Sequence, residues 1–479
     1  MKVSEYVGYD AVGLAGLLRA GEVTAAELEA VAREATEQVD DDVNGLVGPL
    51  LADALDHAPD GAFAGVPFLL KDAGAVAAGV PHEIGSRMLA GYVPREDSEM
   101  VKRFKRAGLA IIGRTATPEF TLHWNTTSVA NGPTRNPWNL ERVVGGSSGG
   151  AAALVAAGAV PMAHGNDAGG SIRMPAGCCG AVGLKPTRGR LPAEQSVVGD
   201  ELNVDFAVTR TVRDSAALLD ALHGPSRWSR YEIAAPARPY LDELDRDVEP
   251  LRVGYLDTSA TPGIDASCTE AVAAVVALLE GDGHDVAADE PAAPDDEVAQ
   301  YPLTAISTYL AAWIDRMAAL HGVTPSADNL ESVIWATYQL GSRFTASDFR
   351  RSWENRLVAI STVREFFERY DLLVSPTVAG PAPALDGAVT LNDDVDDPLE
   401  WNARMASYMP FTSIFNVTGH PAISVPVGMS ADGLPVGVQL VAPFGREDRL
   451  LRLARRLETE FAWEDRVPRI RAGASRQAA

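Results

Sequence analysis

Apolar residues recur at helical spacing near the N-terminus, then gather into short runs divided by polar or turn-rich stretches. Asp10 predicts a cap for a first helix that ends near Gly21. Thr24-Ala25-Ala26-Glu27 reads as a capping box opening a second helix, with Leu28, Val31 and Ala35 on one face. Pro59 to Gly65 is a turn-rich link, and Val66–Leu70 is a short strand. Residues 96–108 suit a helix and Ala110–Gly113 a strand, so the pattern alternates α and β. Farther along, Leu251–Leu256, His284–Val286, Leu372–Val374, Pro421–Val427 and Val436–Val441 read as strands, the last two joined by a turn at Asp432-Gly433. Helices are predicted over 267–280, through most of 300–370 and near 447–460. Val467–Ala479 reads as a loose tail. Without an internal repeat or a compositional break, the simplest architecture is one large mixed α/β domain over 1–479.

The stretch from Gly145 to Gly189 departs from this pattern. Two glycine clusters, Gly145-Gly146 with Gly149-Gly150 and then Gly169-Gly170, flank a small apolar helix at Ala151–Ala159. Serines set between paired glycines imply backbone in unusual conformations or in close approach to a ligand. A flexible linker would explain the glycines alone, but the apolar helix and Ile172-Arg173-Met174-Pro175 argue for packed structure.

Composition narrows the chemistry. The net charge of −24, from 41 basic and 65 acidic side chains, argues against nucleic acid as a partner, because phosphate binding needs a basic patch. No apolar run approaches the ~20 residues of a membrane helix, and Met1–Asp10 lacks a secretory layout. The expectation is a cytoplasmic protein with a small-molecule substrate, no membrane or nucleic-acid partner, and a homodimer left open. The cysteines Cys178, Cys179 and Cys268 and the eight histidines show no metal-site spacing, so neither metal nor cofactor is expected. The five lysines are Lys2, Lys71, Lys102, Lys105 and Lys185; arginine supplies the rest of the positive charge. A lysine kept in the apolar run Val66–Leu70 suggests an amine that must lose its proton, which arginine cannot do.

Amide hydrolysis needs a nucleophile, a base and donors for the developing oxyanion. Ser147 and Ser171 lie in glycine-bordered turns, and Ala168-Gly169-Gly170-Ser171 offers consecutive backbone N–H groups to an anion. Gly145-Gly146-Ser147-Ser148-Gly149 also fits the nucleophile elbow of α/β-hydrolases, which would call on His420 downstream. That alternative leaves Lys71 and the second glycine cluster without a role.

Several motifs in order make a resemblance specific. They are Gly65–Asp72, Gly113-Arg114-Thr115 with Thr117–Phe120, Thr134–Trp138, Gly145–Gly150, Gly169–Arg173 and Gly183–Thr187. Phe415-Asn416, Thr418-Gly419, Pro421-Ala422 and Gly433–Gln439 follow near the C-terminus. Together they resemble the amidase signature family, with the signature core at 65–190. His164–Ala168, Ser424–Gly428 and Gly445–Asp448 are similar to the branch that contains 6-aminohexanoate cyclic-dimer hydrolase.

The resemblance implies an amidase signature fold, one large mixed β-sheet core covered by helices on both faces, and a serine hydrolase of non-peptide amides that passes through an acyl-enzyme. Its pattern places the lysine at Lys71, a serine after a cis peptide at Ser147 and the nucleophile at Ser171. It places the oxyanion amides at Ala168, Gly169, Gly170 and Ser171, with Ser148, Asp167 and Arg173 in support. The last two read as a salt bridge holding the loop. Lys71 must be uncharged to act as a base, so burial should pull its pKa down from about 10.4. Asn166 and Ala168 stand where many members carry threonine, and Arg114 and Ala116 replace a commoner lysine and asparagine. The glutaminase component of a tRNA-dependent amidotransferase and a binding protein without activity are the other readings. Tyr309, Trp313, Trp335 and Tyr338 lie in the helical region that could roof a cleft, but their spacing suits core packing better.

Overall fold

Ten strands join in one mixed sheet, and six of them are buried along their whole length. The structure, a computed structural model, describes residues 1–192, 202–259, 261–292, 301–387 and 397–474. In chain order the strands are β1 (Val66–Lys71), β2 (Leu109–Thr115), β3 (Met162–Asp167), β4 (Val182–Lys185) and β5 (Val204–Thr209). β6 (Arg252–Tyr255), β7 (Asp285–Ala288), β8 (Leu372–Pro376), β9 (Ala422–Met429) and β10 (Pro435–Val441) follow. Across the sheet the order is β2-β1-β3-β5-β4-β9-β10-β8-β6-β7. The pairs β2/β1, β1/β3, β8/β6 and β6/β7 are parallel and the rest antiparallel. Full burial of these six strands means that both faces of the sheet are covered there.

The expected helices form where their caps require. Asp10 accepts from the Gly13 amide and Thr24 from the Glu27 amide, opening Ala11–Ala20 and Ala25–Val43; the first ends at Gly21 in the left-handed region. Helices at Glu99–Arg106, Ala266–Gly281 and Glu447–Phe461 also fall where expected. The described part of 301–370 is helical over Tyr301–His321, Ser332–Gly341 and Ala346–Arg369. Within it Trp313 packs edge-on against Phe120, and Trp335 stacks on Tyr338, so these aromatics cover the core at its margin.

Two features differ from the sequence expectation. The tail expected from Val467 is held down as far as its described part reaches. The Ile470 amide donates to Pro137 O and the Ala472 amide to Ala157 O, and Ala472 is buried; residues 475–479 lie outside the described residues. The strands β3, β4 and β5 and the helix Pro398–Tyr408 are additions that the hydrophobic pattern does not predict. β3 carries the sequence MAHGND, whose polar half hides the strand signal because its partners come from distant segments.

Parallel pairing puts the carboxyl ends of β1 and β3 at the same edge of the sheet, so Lys71 and Asp167 close neighbouring strands. Antiparallel β5 begins at that edge and sets Asp205 opposite Asn166. In open α/β sheets the carboxyl ends of strands are where ligands bind.

Candidate active site

The serine-bearing turn of residues 145–148 is clamped by its surroundings. The peptide between Gly146 and Ser147 is cis, and the helix Gly149–Ala156 starts at once behind it. A Cβ on Gly149 would lie 2.1 Å from Thr126 Oγ1, and one on Gly150 would lie 2.4 Å from the Ala116 nitrogen. No side chain fits there, so glycine lets the helix press against residues 116 and 126. Ala116, in place of a commoner asparagine, is part of that contact. Thr126 Oγ1 donates to Gly145 O and accepts from the Gly149 amide, tying both ends of the turn to one hydroxyl.

Lys71, at the end of β1, is fully buried and faces this turn. Its Nζ lies 2.7 Å from Ser147 Oγ and 3.0 Å from Ser148 Oγ, and it also bonds Asn166 Oδ1. Burial lowers the Lys71 pKa to about 7, against the opposing pull of the Asp205 and Asp167 charges. The three partners differ in what they can give. Asn166 Oδ1 only accepts. Ser148 Oγ lies 3.3 Å from Asn166 O, its own acceptor, so it too is left to accept from the amine. Ser147 is then the one partner of the three free to donate to the lone pair of a neutral amine.

Ser171 is half-buried, and its backbone carbonyl accepts from the Ser148 amide at 3.1 Å, which staples it beside the first serine turn. The Gly169-Gly170 turn before it carries Gly170 at φ 132°, where a Cβ would meet Thr412 Oγ1 at 2.4 Å. Thr412 Oγ1 donates to Gly169 O at 2.6 Å and holds the turn from above. The Gly170 amide is engaged, donating to Asp167 Oδ1 at 2.7 Å. The amides of Gly169 and Ser171 donate to no protein acceptor among the described residues.

Asp167 and Arg173 form a buried bidentate pair, with Arg173 Nε and Nη2 each 2.9 Å from a carboxylate oxygen. Every guanidinium nitrogen is used. Nη1 reaches Thr412 O and Gln439 Oε1, and Nη2 also reaches Asn416 Oδ1. Burial alone would raise the Asp167 pKa, but the Arg173 charge and its hydrogen bonds hold it well below the usual carboxylate range. Asn416 closes the network by donating to Asp167 Oδ1 and Asp167 O. The pair thus holds the loop, and with it the amides around Ser171.

Of the expected residues, Lys71 meets Ser147 and Ser148, Asp167 meets Arg173, and Ser171 is tied to Ser148 through its backbone carbonyl. Arg114, in place of the commoner lysine, keeps a cation 2.9 Å from Asp72 Oδ1. His420 does not meet the serine turn; it bonds Thr418 Oγ1 and stacks on Phe367. Asn166, Thr412 and Gln439 contribute although the sequence reading gives none of them a role at the site. Asn166 stands out there only as a departure from the family pattern, although a carbonyl oxygen a few residues before the glycine pair is a usable signal. All three cysteines are buried free thiols.

The family model for amidases matches residues 33–451. Two 6-aminohexanoate-cyclic-dimer hydrolases, from Pseudomonas sp. (strain NK87) and Paenarthrobacter ureafaciens, are each 37% identical over 96% of this chain and 96% of their own length. The A-type component of a glutamyl-tRNA(Gln) amidotransferase from Acidothermus cellulolyticus is 34% identical over 98% of this chain and 97% of its own. Among solved structures, 6-aminohexanoate cyclic dimer hydrolase complexed with substrate superposes with a TM-score of 0.90. It is 35% identical and covers 97% of this chain and 99% of that one.

Proposed function

This chain belongs to the amidase signature family and is an amide hydrolase, and we propose that it cuts a small linear or cyclic ω-amino-acid amide through Ser171, Ser147 and Lys71. The observation that carries the mechanism is a buried amine with a single hydroxyl able to donate to it. Neutral Lys71 takes the Ser147 proton as Ser147 takes that of Ser171. The Ser171 oxygen attacks the carbonyl carbon, and the C–N bond breaks as the proton returns through Ser147 to the leaving nitrogen. Water then enters by the same relay and releases the acid. The amides of Ala168, Gly169 and Ser171 are the oxyanion donors in this reading. That of Gly170 belongs to Asp167 and serves the loop. Asp167, Arg173 and Ser148 support this arrangement, and no metal or cofactor takes part.

The substrate class rests on the two cyclic-dimer hydrolases, alike over nearly the whole chain. A panel of 6-aminohexanoate cyclic dimer, its linear amide, an aryl amide and glutamine tests it. Turnover of the first two by the isolated protein is expected. A preference for glutamine that appears only with a partner protein would instead favour the amidotransferase reading, for which the 34% identity to the Acidothermus protein speaks.

A pH profile tests the base. Because the ammonium form cannot accept a proton, kcat/KM should fall as pH drops through about 7. The decline should reach about tenfold per pH unit below that point. An acid limb lying entirely below about pH 5 would exclude Lys71 as the titrating base.

A further inference from the structure

Next to Lys71 lies a buried polar pair that the mechanism above does not use. His164 belongs to β3 and is fully buried. Its Nδ1 accepts the backbone N–H of Lys71 at 3.3 Å, and its Nε2 lies 3.1 Å from Asp205 Oδ1 on β5. These two bonds determine the tautomer. Nδ1 has no proton if it accepts from Lys71, so the ring proton is on Nε2 and is donated to Asp205. Burial lowers the His164 pKa, in keeping with a neutral ring, although Asp205 opposes that shift. Phe104 packs edge-on against the ring and closes its other side.

We infer that His164 and Asp205 are positioning residues for Lys71: Asp205 fixes the His164 tautomer, His164 holds the Lys71 backbone, and the Asp205 charge stands behind the amine. The inference rests on the reading of Lys71 as the base. The sheet supplies the geometry, since β3 and β5 pair antiparallel with Asn166 opposite Asp205. Alternate residues of a strand share a face, so His164 and Asn166 lie on the same side of β3. One bonds the Lys71 backbone and the other its amine. Ser147 and Ser148 from the glycine turn also meet this amine, and the Asp167 charge on β3 acts on it from a distance. On the chain beside β1, Asp72 is paired with Arg114, which also meets Glu83, and His82 lies next to them.

Asp205→Asn keeps an oxygen to accept the His164 proton and removes only the charge. The acid limb of kcat/KM should move to lower pH by about one unit, because Asp205 favours the protonated amine. His164→Asn keeps an acceptor near the Lys71 N–H, whereas His164→Leu does not. The former should hold kcat within about tenfold of the parent and the latter lose about a hundredfold or more, with KM little changed in both. An unmoved acid limb in Asp205→Asn, or equal losses in the two His164 variants, overturns the inference. If His164→Leu does not fold, the Asp205→Asn profile alone decides. Lys71→Ala separates the two levels: hydrolysis retained there defeats the base assignment itself. Loss there with an unmoved Asp205→Asn limb defeats only the positioning role.

Discussion

Replacing Ser171 by alanine is expected to lower amide hydrolysis by about 10⁵-fold or more, to below detection in an ordinary assay. In the proposed mechanism this hydroxyl forms the acyl-enzyme, and the other two serines of the site are already engaged. Ser147 is fixed by its bond to Lys71, and Ser148 is held between Lys71 and the Asn166 backbone. Labelling by a fluorophosphonate should vanish with the hydrolysis. Stability should not change by more than about 0.5 kcal/mol, because a half-buried hydroxyl without a protein partner among the described residues is removed. Loss of activity with an unchanged melting transition separates a missing nucleophile from a broken fold. Hydrolysis at roughly a tenth of the parent rate would show that the nucleophile lies elsewhere.

Arg173→Met should act in the opposite sense, on the fold before the chemistry. It leaves the Asp167 carboxylate buried, and such an unpaired charge costs about 3–5 kcal/mol. It also strips acceptors at Thr412, Gln439 and Asn416 of their donors. The pH dependence has a definite sign. In the parent, Arg173 holds the Asp167 pKa low, so the pair stabilises the fold from neutral pH down into the acid range. That contribution is lost only as pH falls through the depressed value. Without the guanidinium, burial dominates and the pKa rises. The variant's deficit should then be largest at neutral and alkaline pH and shrink as acid neutralises Asp167. Denaturant midpoints of parent and variant at about pH 5 and about pH 8 measure this. A deficit that is equal at both, or larger on the acid side, would mean that the cost does not come from an unpaired Asp167.

Much of this site could be read along the chain. The lysine in an apolar strand and the serines among glycines are short-range patterns, and the caps at Asp10 and Thr24 are equally local; the Asp167/Arg173 pair comes only with the family resemblance. Local patterns survive into the structure because the atoms that satisfy them are a few residues away. What could not be read depends on strands that meet only after folding. β3 places His164, Asn166 and Asp167 beside Lys71 from far downstream in the chain, and β5 brings Asp205. Thr412, Asn416 and Gln439 reach the same loop from farther still. The descent of Val467–Ala474 onto the body of the domain has the same origin, since its acceptors are carbonyls of Pro137 and Ala157.

By itself, then, the order of residues determined the α/β class and the chemical kinds of group at the site: an amine that can lose its proton, hydroxyls, and amides freed by glycine. Only the tertiary structure decided which hydroxyl can donate to that amine, which amides are left without a protein acceptor among the described residues and what packs beside Lys71. Those questions turn on burial and on who already holds each hydrogen bond. Both are properties of the packed sheet, because water would satisfy every one of these groups in the unfolded chain.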